Sequence, residues 1–118
     1  MGERERDKGG PRNDDYMFVE KVEKMIDRIA GHKGVEGVIV CDKDGAAIQT
    51  TMDNTNTVMY AEGVRNMANI GLSMIRDVDP TNDLTFIRIG TKKLEMMAHL
   101  NPEYCAIVVQ SRIKTSKN

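Results

Sequence analysis

Tryptophan is absent from this chain of 118 residues, and its aromatics are three Tyr and two Phe. With so few rings, stacking on nucleic-acid bases has little to work with. Charge of one sign is missing too: 17 Lys and Arg against 18 Asp and Glu leave a net charge of -1, so no global field draws the chain to nucleic acid or anionic lipid. No run approaches the roughly 18 apolar residues of a membrane span, and the opening "MGERERDKGG" is charged where a signal peptide would be apolar. Arg6 stands where a myristoylation motif wants Ser or Thr. A soluble, non-secreted protein is expected. Two cysteines, Cys41 and Cys105, are too few for a disulfide framework; each sits in an apolar run, as suits a buried free thiol in a reducing compartment.

The motifs of catalysis are missing as well. There is no G-x-x-x-x-G-K-[ST], no G-x-G-x-x-G and no C-x-x-C. His32 and His99 are the only histidines, and neither lies in H-E-x-x-H or near a Cys at ligand spacing. His32 follows a helical stripe and is expected to cap that helix's C-terminal dipole, while His99 alternates with core positions and is expected at the surface. "CDKDGAAIQTTMDN" looks like a calcium loop. With Gly45 at position 6 of such a loop, Asp42 and Asp44 fall at positions 3 and 5, but Val40 and Thr51 stand where the two end carboxylates belong. Asp-Gly between short β-branched runs marks a hairpin turn instead. No catalytic residue, cofactor, metal or small-molecule substrate is expected.

What is there is one domain's worth of chain. Residues 1–15 mix charges with Gly9, Gly10 and Pro11 and read as a disordered tail. Phe18, Val22, Met25, Ile26 and Ile29 form an amphipathic helical stripe, with Asn13 to Asp15 as N-cap candidates and Gly31 or Gly34 as the stop. Val35–Cys41 and Ala46–Thr51 form the hairpin. A second helix is predicted from Thr55 to Val78, stopped by Asp79-Pro80. Its polar residues, among them Glu62, Arg65, Asn69 and Arg76, share one narrow arc, and the apolar remainder spans roughly 220°, about twice what a one-sided surface helix needs. One flank of that arc holds Met59, Gly63, Met67, Ile70 and Met74; the other holds Ala61, Val64, Ala68, Leu72 and Ile75. Three strands follow, Leu84–Ile89, Lys93–Leu100 and Tyr104–Ser111. "YCAIVVQ" is apolar on both parities and reads as central, whereas "LTFIRIG" and "KKLEMMAHL" carry charges suited to the margin. The basic residues 113–118 form a second tail.

Together "HKGVEGVIV", "TTMDNTNTVMYA", "RDVDPTNDLTFIRI", "KKLEMM" and "IVVQ" resemble the roadblock family of dynein light chains over residues 16–112. The spacing of Arg76-Asp77, Asp79-Pro80, Asn82-Asp83 and Thr85-Phe86 is the most specific part. The charged tail before residue 16, "AHLNPEY" and the basic end after Arg112 depart from the family pattern. The resemblance implies an α+β fold, an αβα sandwich of order α-β-β-α-β-β-β. Its five-stranded antiparallel sheet lies between helices and continues across a two-fold axis into a second copy.

The dimer interface would then take Gly63, Val64, Met67 and Gly71 of the second helix, with Leu84, Thr85, Phe86, Ile87, Arg88 and Ile89 of the third strand. Gly71 is expected to let the mate helix approach. Met59, Met67, Ile70 and Met74 would form the rim where an amphipathic segment of the dynein intermediate chain lies. The implied role is a non-catalytic homodimeric subunit of a dynein motor in the cytoplasm, on the cytoskeleton or in the axoneme of a cilium or flagellum, serving microtubule-based movement. Relatives of the fold act on small GTPases, so a dimeric GTPase scaffold or activator is the alternative. An activator would need Arg65, Arg76 or Arg88 as an arginine finger.

Overall fold

The computed structural model describes residues 13–112. Of the tails expected over residues 1–15 and 113–118, residues 1–12 and 113–118 lie outside the described residues. Helix α1 spans Asn13–Ala30, strands β1 and β2 span Val35–Asp42 and Ala47–Thr50, and helix α2 spans Asn54–Val78. Strands β3, β4 and β5 span Phe86–Gly90, Leu94–Leu100 and Tyr104–Ser111. Helix α1 thus takes in Asn13 to Asp15, which sequence had placed in the tail as caps.

All strand pairs are antiparallel, in the order β2-β1-β5-β4-β3. β5 is central, as its apolar pattern required. β4 is not marginal: it lies between β5 and β3. Its charge is tolerated there because Glu95 faces the half-open side of the sheet, where Arg88 and Gln110 both bond its carboxylate. The αβα sandwich follows from strand alternation. Val38, Val40 and Ala106 face α1 and pack with its Val22 and Ile26. Ile39, Ile107, Val109, Met96 and Ala98 face the other way and pack with Ala61 and Val64 of α2.

The hairpin turn is built as its sequence asked. Gly45 takes φ +93, and Asp42 Oδ1 accepts the Asp44 and Ala46 amides at 2.9 and 3.0 Å. Helix α2 starts at Asp53, whose Oδ1 accepts the Asn56 amide at 2.7 Å, satisfying one of the amides that a helix start leaves open. It stops where the Asp79 amide donates to Ile75 O at 2.9 Å and Pro80 follows.

Strand β3 begins two residues later than expected. The Asp83 and Leu84 amides are taken by the side chains of Asn82 and Asp83 at 2.8 and 3.0 Å, local bonds that compete with a strand ladder. Thr85 O still accepts the Leu100 amide at 2.9 Å. Main-chain groups alternate in direction along an antiparallel strand, so those of Ile87 and Ile89 also turn to β4. Phe86, Arg88 and Gly90 turn theirs to the free edge, where no strand of the described residues pairs with them.

Candidate functional site: an apolar helix flank and an open sheet edge

The two flanks of α2 meet different fates. Ala61 and Val64 are buried against the sheet, and Ala68, Leu72 and Ile75 are half-buried on the same side. The opposite flank stays in solvent: Met59 is 66% exposed, Met67 44%, Ile70 71% and Met74 61%. Val78 extends it at the C-terminal end. A Cβ at Gly63 would meet nothing within 4 Å. A glycine inside a helix costs up to about 1 kcal/mol relative to Ala, and here no neighbour in the protomer uses the space it leaves.

Two of the expected interface residues serve the protomer instead. Val64 is 3% exposed and belongs to the core, so it offers no surface to a mate. Gly71 does permit a close approach, but by Leu84, whose Cδ2 would lie 2.9 Å from a Cβ built there. Leu84 and Thr85 precede β3, in the loop that folds back from Pro80. That contact brings the start of the β3 edge beside the C-terminal half of α2. Along β3, Ile87 and Ile89 are half-buried against the α2-side core, while Phe86 is half-exposed and shares the opposite face with Arg88.

The three candidate arginines each have a local partner. Arg65 Nη1 donates to Asp44 O at 2.8 Å, fastening α2 to the hairpin turn. Arg76 Nε donates to Asn82 O at 3.1 Å, and its Nη2 lies 3.5 Å from Asp83. Arg88 Nε lies 2.6 Å from Glu95 Oε2. The hydrogen bond from Arg88 holds the Glu95 carboxyl below the usual carboxylate range. His99 is exposed, as its alternation implied. Among the described residues no three His, Cys, Asp or Glu group as metal ligands, and no helix is long and apolar enough to cross a membrane.

Sequence reasoning placed Met59, Met67, Ile70 and Met74 on one flank of the second helix, and all four are exposed. It missed that Cys41 and Cys105 stand directly opposite one another across β1 and β5. Register between strands that are distant in sequence leaves no local signal.

Helices on both faces of a five-stranded antiparallel sheet, with an exposed apolar helix flank beside the β3 edge, define a small α+β sandwich domain. The Roadblock/LC7 domain family matches residues 21–111, and the chain belongs to that family. Among solved structures it is similar to a Roadblock/LC7 domain from Streptomyces avermitilis, with TM-score 0.61 and 12% identity over 67% of this chain and 68% of that one. It is also similar to MglB of Myxococcus xanthus, with TM-score 0.54 and 14% identity over 66% of this chain and 65% of that one. At such identities the likeness is one of fold.

Proposed function

We propose that this chain is a non-catalytic, homodimeric light chain of a dynein motor that holds an intermediate-chain segment and helps assemble the motor's cargo-binding or docking base. The observation that carries the reading is the solvent-facing flank Met59, Met67, Ile70 and Met74 beside the open edge of β3. An edge with outward amides and an exposed Phe86 is an aggregation hazard unless covered. Pairing β3 with its twin about a two-fold axis covers it, continues the sheet and draws the two α2 helices together. Such an interface should bury more than about 1,000 Å² in total. The apolar rim left on either side of the axis suits the helix-in-groove mode of recognition. The string from Arg76 to Ile89 resembles that of the dynein light chains, and this supports the dynein reading over the alternative.

The GTPase-activator reading is weakened by the arginines, because using any of the three as a finger would first break a bond that it already makes. Two measurements test the proposal. Sedimentation should give a dimer at micromolar concentration, and a pull-down from the source cell should recover intermediate chain. A stable monomer refutes the assembly, and recovery of a small GTPase without intermediate chain moves the function to the alternative.

A further inference from the structure

Cys41 and Cys105 are directly opposed on neighbouring strands, with both thiols free. Both pack with the core between the sheet and α2. Hydrogen bonding fixes which kind of pair they are. The Asp42 amide donates to Ala46 O, on the β2 side, and the Asn101 amide donates to Tyr104 O, on the β4 side. By alternation the adjoining Cys41 and Cys105 turn their own amides and carbonyls toward each other. At such a hydrogen-bonded pair the Cα atoms stand about 5.5 Å apart, and the Cβ atoms are at the wide end of about 4.5–5.5 Å. An unstrained disulfide accepts that Cα separation but wants Cβ atoms about 3.8 Å apart, so it is the Cβ separation that is wide. The pair is therefore wide for a direct S–S bond, and suited to one atom held between the sulfurs.

The thiols lie on the floor of a cleft of about 640 Å³ between α2 and the sheet, with Ala68 and Leu72 on its roof and Leu100 and Ile107 beside the cysteines. No third His, Cys, Asp or Glu joins them among the described residues, which rules out a tetrahedral protein cage. Burial raises both thiols, Cys105 to about 11, so the pair is neutral near pH 7. A monovalent soft ion would leave a bis-thiolate anion in apolar surroundings, and that is costly. Trivalent arsenic leaves no charge.

We propose that Cys41 and Cys105 form a two-thiol site for trivalent arsenicals that carry one apolar group, with the arsenic bridging the sulfurs and the apolar group filling the cleft. In the reaction two As–O bonds of an arsonous acid are replaced by two As–S bonds. Each departing hydroxide leaves with a thiol proton as water, and no electron is transferred. The site is independent of the intermediate-chain reading.

Phenylarsine oxide added to the full chain is the test. One equivalent should bind per protomer, shield both thiols from maleimide, survive excess 2-mercaptoethanol and be released by 1,2-ethanedithiol, with the far-ultraviolet circular dichroism unchanged. Cys41→Val and Cys105→Ala should each lose retention at least roughly tenfold, a loss of about 1.4 kcal/mol. An adduct on the native chain that the monothiol strips overturns the proposal without reference to either variant. So does a single variant that retains the arsenical as well as the native chain. Ready formation of a Cys41–Cys105 disulfide by diamide in the folded protein overturns it too, since the sulfurs would then lie closer than the pairing dictates.

Discussion

Leu84 occupies the space that Gly71 leaves on α2: its Cδ2 sits 2.9 Å from where a Cβ would be. The contact ties the loop after Pro80 to the helix and so sets where β3 starts. Gly71→Val should push Leu84 outward and cost about 1–3 kcal/mol through overpacking. Thermal unfolding reads this, and an unchanged melting temperature would show that the loop is not held by that contact.

Gly45 is a second position where the backbone needs glycine, with φ +93 in the hairpin turn. An added Cβ would also stand 3.0 Å from Arg65 Nη1, disturbing the bond from Arg65 to Asp44 O. Gly45→Ala should destabilise the fold by about 1–2 kcal/mol, the cost of a left-handed non-glycine residue. Denaturant unfolding should move its midpoint without changing its slope.

Alkaline pH offers a test of the buried thiols. Burial, followed by the neighbouring Cys41, raises Cys105 from 9.0 to about 11, so the folded state holds this proton more tightly than the unfolded chain does. Stability is therefore complete below pH 9.0 and falls as pH climbs toward about 11. Cys41 is shifted in the same direction, by burial and then by Asp42. Cys105→Ala should flatten the decline in melting temperature over this window. An equally steep decline in the variant would assign it to other groups.

The proposed dimer can be challenged at two places that leave the protomer intact. Phe86 turns its amide to the free edge, so Phe86→Pro keeps the β3–β4 ladder while removing a donor that a mate strand needs. A Cβ at Gly63 meets nothing within 4 Å, so Gly63→Phe should be accommodated by the protomer yet obstruct a mate helix. Each should weaken self-association at least roughly tenfold in sedimentation, with a native circular dichroism spectrum. Dimers of native strength in both variants would place the two-fold axis elsewhere.

What sequence could and could not specify follows from the range of each signal. The apolar runs of β5 marked it as central because burial on both faces must be written in its own residues. The arc of α2 showed that two surfaces had to be covered, but both flanks are apolar, and only packing against the sheet decided that Val64 and Ala61 go inward. Gly71 read as the place where a mate helix approaches, and within the protomer the residue that comes close to it is Leu84, thirteen positions along the chain. β4 looked marginal because Glu95 was visible in sequence and its partners Arg88 and Gln110, on neighbouring strands, were not.

Ile70 is where the partner reading can be tested without touching the core. It is 71% exposed, next to the polar arc of α2 and on the flank away from the sheet. Ile70→Glu adds a charge that water solvates in the free protein, so the fold should be unaffected. If an intermediate-chain segment covers this position, the complex must desolvate that charge without a partner for it, and a buried unpaired carboxylate is costly. Binding of the segment should weaken at least roughly tenfold, or about 1.4 kcal/mol, while sedimentation still gives the dimer. Unchanged affinity would place the segment on another surface, such as the half-open sheet face around Phe86 and Met97. Loss of the dimer itself would mean that Ile70 packs on the mate helix, and that the two-fold axis runs through the exposed flank rather than beside it.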